Sequence, residues 1–184
     1  MKPVYIENLL NLPIENRANY LLNSCTEGQW FDRKGIKIDL KDIAKSIIAF
    51  ANAEGGAIPF GASNGVVAGI RNRKGIENDL PQAIYDYTRP PIKVMIDKVD
   101  IIATDGKKDQ ILFLTIPPSD MVHEDQCGKC FLRIGDETRE LRHSDRLELE
   151  YNKGVRQYDG EIIKGSNTKD LDISLVERYA RNIG

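Results

Sequence analysis

The acids Glu27 and Asp32, with Lys34 two residues on, stand in CTEGQWFDRKG. Two carboxylates beside a lysine can hold a divalent cation and position a water for attack on a phosphodiester. Their spacing puts them on opposite sides of a regular strand, so both reach one ion only if Glu27 belongs to a preceding turn. A solvated surface pair is the plainer reading. His123, Cys127 and Cys130, in HEDQCGKC, offer a partial zinc set with His143 or Cys25 as a fourth ligand, or else a hairpin turn at Gly128-Lys129 flanked by cysteines. The stretch GAIPFGAS comes within one lysine of a phosphate loop, with Ala62 where the lysine belongs. Ser, His and Asp show no triad pattern.

The elements around these residues decide among the readings. Leu40, Ile43, Ala44, Ile47, Ile48 and Ala51 recur at helical spacing, with Asp39 as N-cap and Gly55-Gly56 as the stop, which predicts a helix over 40–53. AIPFGA and GVVAGI follow as short strands joined by a turn at Ser63, Asn64 and Gly65. A phosphate loop needs strand, loop and helix in that order, and here the helix comes first, so the glycines read as helix stop and hairpin turn. Pro59 cannot donate to a ladder and implies an edge or a bulge. A second helix is expected over 76–88, strands over 92–102, 110–116 and 130–134, and a short helix capped by Ser144 through Tyr151. Leu171, Leu175, Val176 and Tyr179 keep helical spacing near the end, as in a longer parent protein. The fold class is α+β, a mixed sheet with hairpins packed against two or three helices. The division expected is a domain over 1–153 and a C-terminal extension over 154–184.

Composition narrows the function further. A net charge of −2 gives no general attraction for nucleic acid, so any such site is a local patch. The candidate is Arg71, Arg73 and Lys74 in GIRNRKG, joined in space by Arg133, Arg139, Arg142 and Arg146, against scattered solvated charges as the alternative. The odd count of 3 cysteines argues for reduced thiols. Apolar runs fall short of the roughly 20 residues that cross a bilayer, and the N-terminus lacks a signal-peptide core. A soluble cytoplasmic protein without a membrane partner is the expectation.

The order TEGQWFDRKG, IAKSIIAFANAEGGAIPFGASNGVVAGI, ILFLTIPPS and CFLRIGDET resembles the Schlafen-type AlbA-like domain, formerly grouped as a divergent AAA domain. The likeness covers roughly residues 20–150 and is most specific at 49–56. It implies an α+β fold and a DNA- or RNA-binding role, as in the N-terminal domain of bacterial transcriptional regulators. Arg71, Arg73, Lys74 and Arg133 are then phosphate contacts, with Asn52 and Asn64 as polar contacts and a homodimer as the assembly. Animal members are endoribonucleases that use three carboxylates. By position Glu27 and Asp32 match the first two and Lys34 the motif lysine, with Glu27 and Asp32 also the metal candidates. The third acid falls at Ser63 or Asn64, where there is no carboxylate. A magnesium site there lacks one full charge. No cofactor is expected outside a nuclease, where magnesium or manganese would be needed. The alternatives to a binding module are a degenerate metal-dependent endoribonuclease and a protein-interaction or dimerisation module.

Overall fold

A computed structural model describes residues 5–63 and 65–154. Its centre is a strand that is apolar on both faces. In β5 (Lys108–Ile116), Ile111 and Phe113 point one way while Leu112, Leu114 and Ile116 point the other, and all are buried. A strand with two apolar faces must lie between two layers. β5 pairs antiparallel with β1 (Gly56–Phe60) on one side and β4 (Met95–Ile102) on the other, in the order β1-β5-β4.

One face, with Ile58, Phe60, Leu112 and Leu114, packs against α3 (Leu40–Asn52) and α4 (Ile76–Tyr87). The other, with Ala57, Ile111, Phe113, Val99 and Ile101, is covered by Phe31, Leu9 of α1 (Tyr5–Leu10) and Leu21 of a π-helical turn, Tyr20–Ser24. Each fully buried large apolar side chain contributes about 1.5–3 kcal/mol. Between them lies α2 (Ile14–Asn19), whose Arg17 donates to the carbonyls of Leu10, Leu12 and Asp100 and so ties this layer to β4. The α+β class is as expected, and the N-terminal helical layer is an addition to it.

The α3–β1 junction follows its sequence. Asp39 accepts from the Lys41 amide at 2.8 Å and caps the helix, while the Gly55 amide closes its end on the Phe50 carbonyl at 2.8 Å. Gly55 is left-handed, at φ 76, and a Cβ there would sit 2.6 Å from the Ile116 carbonyl oxygen. Only glycine meets both demands.

In the three-stranded sheet β1 is an outer strand, and Pro59 turns its nitrogen away from β5. Beyond β1, the segment around Phe31–Lys34 runs parallel to it through bridges Phe31↔Ala57 and Lys34↔Phe60. Four bonds form this short ladder, Ala57 N–H to Trp30, Asp32 N–H to Ala57, Lys34 N–H to Pro59 and Gly61 N–H to Lys34. The proline nitrogen falls where the ladder's remaining donor, opposite the Asp32 carbonyl, would stand.

β2 (Ala62–Ser63) and β3 (Val66–Val67) form the small hairpin, and β6 (Phe131–Ile134) pairs with β7 (Glu137–Glu140) against α3. The last described helix, α5 (His143–Asn152), is capped at Arg142 without a side-chain bond, and Ser144 donates to Asp145 instead of capping. The helix expected around 171–179 and all of the extension but Gly154 lie outside the described residues. Among the described residues no helix is long and apolar enough to cross a membrane.

Candidate nucleic-acid interface

The parallel ladder points Asp32 and Lys34 to one side and Arg33 to the other. Asp32 is buried, and its Oδ2 accepts from Lys34 Nζ at 2.7 Å and Arg133 Nη1 at 3.2 Å. Arg133 is spent on this interior. Its side chain is 2% exposed, its other nitrogens donate to the Gly28 and Phe31 carbonyls, and its guanidinium lies 4.9 Å from the Phe50 ring centre. The expectation that Arg133 touches phosphate is therefore corrected, because the group that would do so is enclosed and neutralised.

Glu27 belongs to the opposite side. Its Oε1 accepts from Arg33 Nε at 3.1 Å, and Arg33 also donates to the Leu21 and Leu22 carbonyls in the N-terminal layer. The two acids thus serve different layers and different cations. A divalent ion needs converging, unneutralised oxygens, and among the described residues no group of three His, Cys, Asp or Glu could hold one. The residues do not fit the metal that a nuclease site would require.

Asn52 is also corrected. It is 2% exposed, and its amide donates to the His123 and Phe131 carbonyls at 2.8 and 2.9 Å while accepting the His123 amide at 2.8 Å. This amide stitches the end of α3 to the segment before β6. His123 is similarly used. Nδ1 lies 2.7 Å from the Pro90 carbonyl, which only accepts, so Nδ1 carries the proton and Nε2 accepts from Ser119 Oγ at 2.8 Å. Burial pushes the imidazole below its ordinary value and the Cys130 thiol above its own. Cys130 is buried and Cys127 exposed, so the zinc reading fails and the hairpin reading of Gly128-Lys129 stands.

The basic loop is the part that faces solvent. Arg73 Nη1 donates to the carbonyls of both Ile36 and Ile38, and its guanidinium lies 5.5 Å from the Phe60 ring centre. That bond set staples loop 70–75 to loop 35–39. Lys37 projects outward between Ile36 and Ile38, which pack on the core, and Lys74 is exposed next to Arg73. Among the described residues neither lysine has an ion-pair partner. The β2–β3 tip adjoins the same rim, since a Cβ on Gly35 would lie 3.1 Å from Ser63 Oγ. Asn64 lies outside the described residues.

Arg71 is held differently, by ion pairs to Asp105 and, at 3.5 Å, to Asp109. Asp109 Oδ1 accepts the amides of Ile70, Arg71 and Gln110, which fixes the start of the loop. Gly69, at φ 70, leaves the room this carboxylate occupies. Arg139 pairs with Glu137, and Arg146 with Glu124 and Glu150, so neither joins the rim as a free charge. Lys37 and Asp109 were missed by the sequence reading. The alternation in Gly35-Ile36-Lys37-Ile38 already puts Lys37 opposite two apolar residues, whereas nothing near Asp109 in sequence announces its role.

Fold and surface together define an α+β domain that presents a cluster of cationic loops beside a small hairpin. The chain belongs to the Schlafen, AlbA_2 family, whose model matches residues 27–142. That membership points to a nucleic-acid-related domain. The crystal structure of the DIP2311 protein from Corynebacterium diphtheriae is similar, with a TM-score of 0.50 and 19% identity over 80% of this chain. At this identity the likeness concerns fold alone, and this chain spans 29% of the length of that one. No curated protein matches it.

Proposed function

We propose that this chain is a nucleic-acid-binding module that grips the sugar-phosphate backbone through the rim of Lys37, Arg73 and Lys74, beside Ser63. The observation that carries this reading is the Arg73 staple, which brings two loops with exposed lysines together and holds them with bonds to carbonyls rather than carboxylates. None of these three cations has an acidic partner among the described residues, whereas Lys34 is spent on Asp32. Charge is thereby concentrated locally although the chain as a whole carries −2.

The finer reading is the DNA-binding domain of a bacterial transcriptional regulator, cytoplasmic and homodimeric, binding without catalysing cleavage. Family membership supports the nucleic-acid part of this reading. Binding to labelled DNA and RNA is measured by fluorescence anisotropy over a salt series. Lys37→Glu and Lys74→Glu should each lower the affinity, and neutralising either lysine should reduce the logarithmic salt slope by about 1. Wild-type affinity in both charge reversals would remove this surface from consideration. Light scattering of the free chain tests the dimer.

A further inference from the structure

We propose that the outer edge of β4 pairs antiparallel with the same edge of a second copy of this chain, across a two-fold axis at Met95. This deepens the homodimeric part of the reading above and rests on it, whereas the cationic rim is independent of it. In the order β1-β5-β4, β4 is an outer strand, and unpaired N–H and C=O groups on such a strand are a template for another. The register shows which groups are free. Ala57 and Pro59 turn their main-chain groups outward to the segment around Phe31–Lys34, so Ile58 and Phe60 bond to Leu114 and Leu112. Phe113 and Thr115 are thereby left for β4, where their partners are Asp97 and Met95. Ile96, Lys98 and Asp100 must then face away from β5, and the Asp100 carbonyl does so, accepting from Arg17 Nη1 at 2.8 Å. That bond closes the edge at Asp100. The main-chain groups of Ile96 and Lys98 have no partner among the described residues.

The side chains along this edge say what fits it. Val94 and Ile96 are partly buried against the α3–α4 core. Met95 and Asp97 alternate onto the other face, both exposed, Met95 by 55%. Lys93, just before the strand, is exposed too, and neither it nor Asp97 has an ion-pair partner among the described residues. Lys98, whose charge would discourage a second strand, is tied to Glu77 of α4. Glu77, Pro81 and Tyr85 recur four residues apart on that helix, so the stripe facing the edge also carries Tyr85, 64% exposed.

Charge selects both the occupant and the register. With the axis at Met95, pairing extends the strand back to Lys93 and main-chain bonds run from Val94 to Ile96 of the second copy and back. Met95 then opposes Met95, Val94 opposes Ile96, and Lys93 opposes Asp97, so every opposed pair is apolar on apolar or cation on anion. An axis at Ile96 sets Met95 against Asp97 and Val94 against Lys98. An axis at Asp97 opposes two carboxylates, which is unfavourable. An axis at Lys98 opposes two lysines and brings Ile96 onto Asp100, whose carbonyl Arg17 already holds. Complementarity of a surface to itself under a two-fold is what an isologous contact requires, and it favours a second copy over an unrelated strand.

Sedimentation velocity of the full chain over a concentration series gives the dimer dissociation constant. Asp97→Lys sets a lysine against Lys93 at both ends of the contact and should weaken the dimer about tenfold. Combining it with Lys93→Asp exchanges the two charges and should restore the affinity. In a Cys127→Ser background, which removes the exposed native thiol, Met95→Cys places two thiols on opposed Cα atoms about 4.5 Å apart, within disulfide reach. An added oxidant should then give a covalent dimer, whereas Asp97→Cys in the same background should not cross-link. A dimer that tolerates Asp97→Lys, is not rescued by the exchange, or does not cross-link through Met95→Cys overturns this interface and leaves the homodimer standing. A chain that stays monomeric throughout the series overturns the interface and the homodimer together and leaves the edge to a strand of another protein. Binding at the rim is read separately, by anisotropy.

Discussion

Replacing Arg133 by methionine keeps much of the aliphatic bulk against Phe50 and removes the guanidinium. What remains is an Asp32 carboxylate, with its side chain 8% exposed, that has lost its 3.2 Å partner, together with the Gly28 and Phe31 carbonyls that have lost their donor. Breaking one side of a buried ion pair costs about 3–5 kcal/mol, because the other charge is left desolvated. Lys34 stays 2.7 Å from the same oxygen, which puts the expectation near the lower end, about 3 kcal/mol. For a domain of this size that corresponds to a melting temperature roughly 6–12 °C lower.

Thermal and urea unfolding measure the loss, and anisotropy measured well below the transition reports the affinity of the folded fraction. The expected outcome is a clear loss of stability with nucleic-acid affinity within about twofold of wild type. A double-mutant cycle with Asp32→Asn should recover part of the loss, since the stranded charge is then gone. A variant that melts at the wild-type temperature yet fails to bind would refute the assignment and return Arg133 to the phosphate-contacting surface.

Four further outcomes follow from the same geometry. Asn52→Leu, of similar volume, strands the His123 amide and two carbonyls in the interior and should lower stability by about 2–4 kcal/mol in urea unfolding. Gly69→Ala combines a left-handed backbone with overlap onto Asp109, so it should destabilise by more than about 1 kcal/mol and weaken binding through the displaced loop. Burial holds the folded His123 below its ordinary pKa of 6.5, so as pH falls the unfolded chain takes up the proton first and stability is lost through and below that value. Melting temperature should drop from pH about 7.5 to about 5.5, less steeply in His123→Gln. Millimolar magnesium or manganese should leave the melting temperature unchanged beyond the general salt effect, because a bound ion would raise it by mass action. A specific rise abolished by Glu27→Gln would contradict the separation of Glu27 from Asp32.

The helix α3, the central strand and the hairpins were legible because each is written in a local period: Ile43, Ile47, Ile48 and Ala51 at helical spacing, and Leu112 and Leu114 alternating with Ile111 and Phe113. The N-terminal layer was not legible. α1 and α2 are only 6 residues each, too short for a period to stand out, and they exist because the second apolar face of β5 must be covered. The site residues divide along the same line. Lys74 reads as a surface charge from its neighbours in Gly-Ile-Arg-Asn-Arg-Lys-Gly, and it is one.

Arginine is where sequence reasoning stops, for a physical reason. Its guanidinium satisfies carbonyls, carboxylates and aromatic faces as readily as phosphates, so its partner is set by which elements the fold brings to it. Arg133, Arg73 and Arg71 show three outcomes of that choice: one buried on Asp32, one bonded to the carbonyls of two loops, and one paired to acids at the edge of a cleft. Of these three, Arg73 alone has no acidic partner among the described residues. A residue that organises the rim and lends its charge to it should be harder to replace by lysine than either neighbour. Lysine can supply the charge but not the planar fork that reaches Ile36 and Ile38 together. Arg73→Lys should therefore weaken binding severalfold at low salt while leaving the salt slope nearly unchanged, and a loss confined to the slope would show that Arg73 acts as a simple counter-charge.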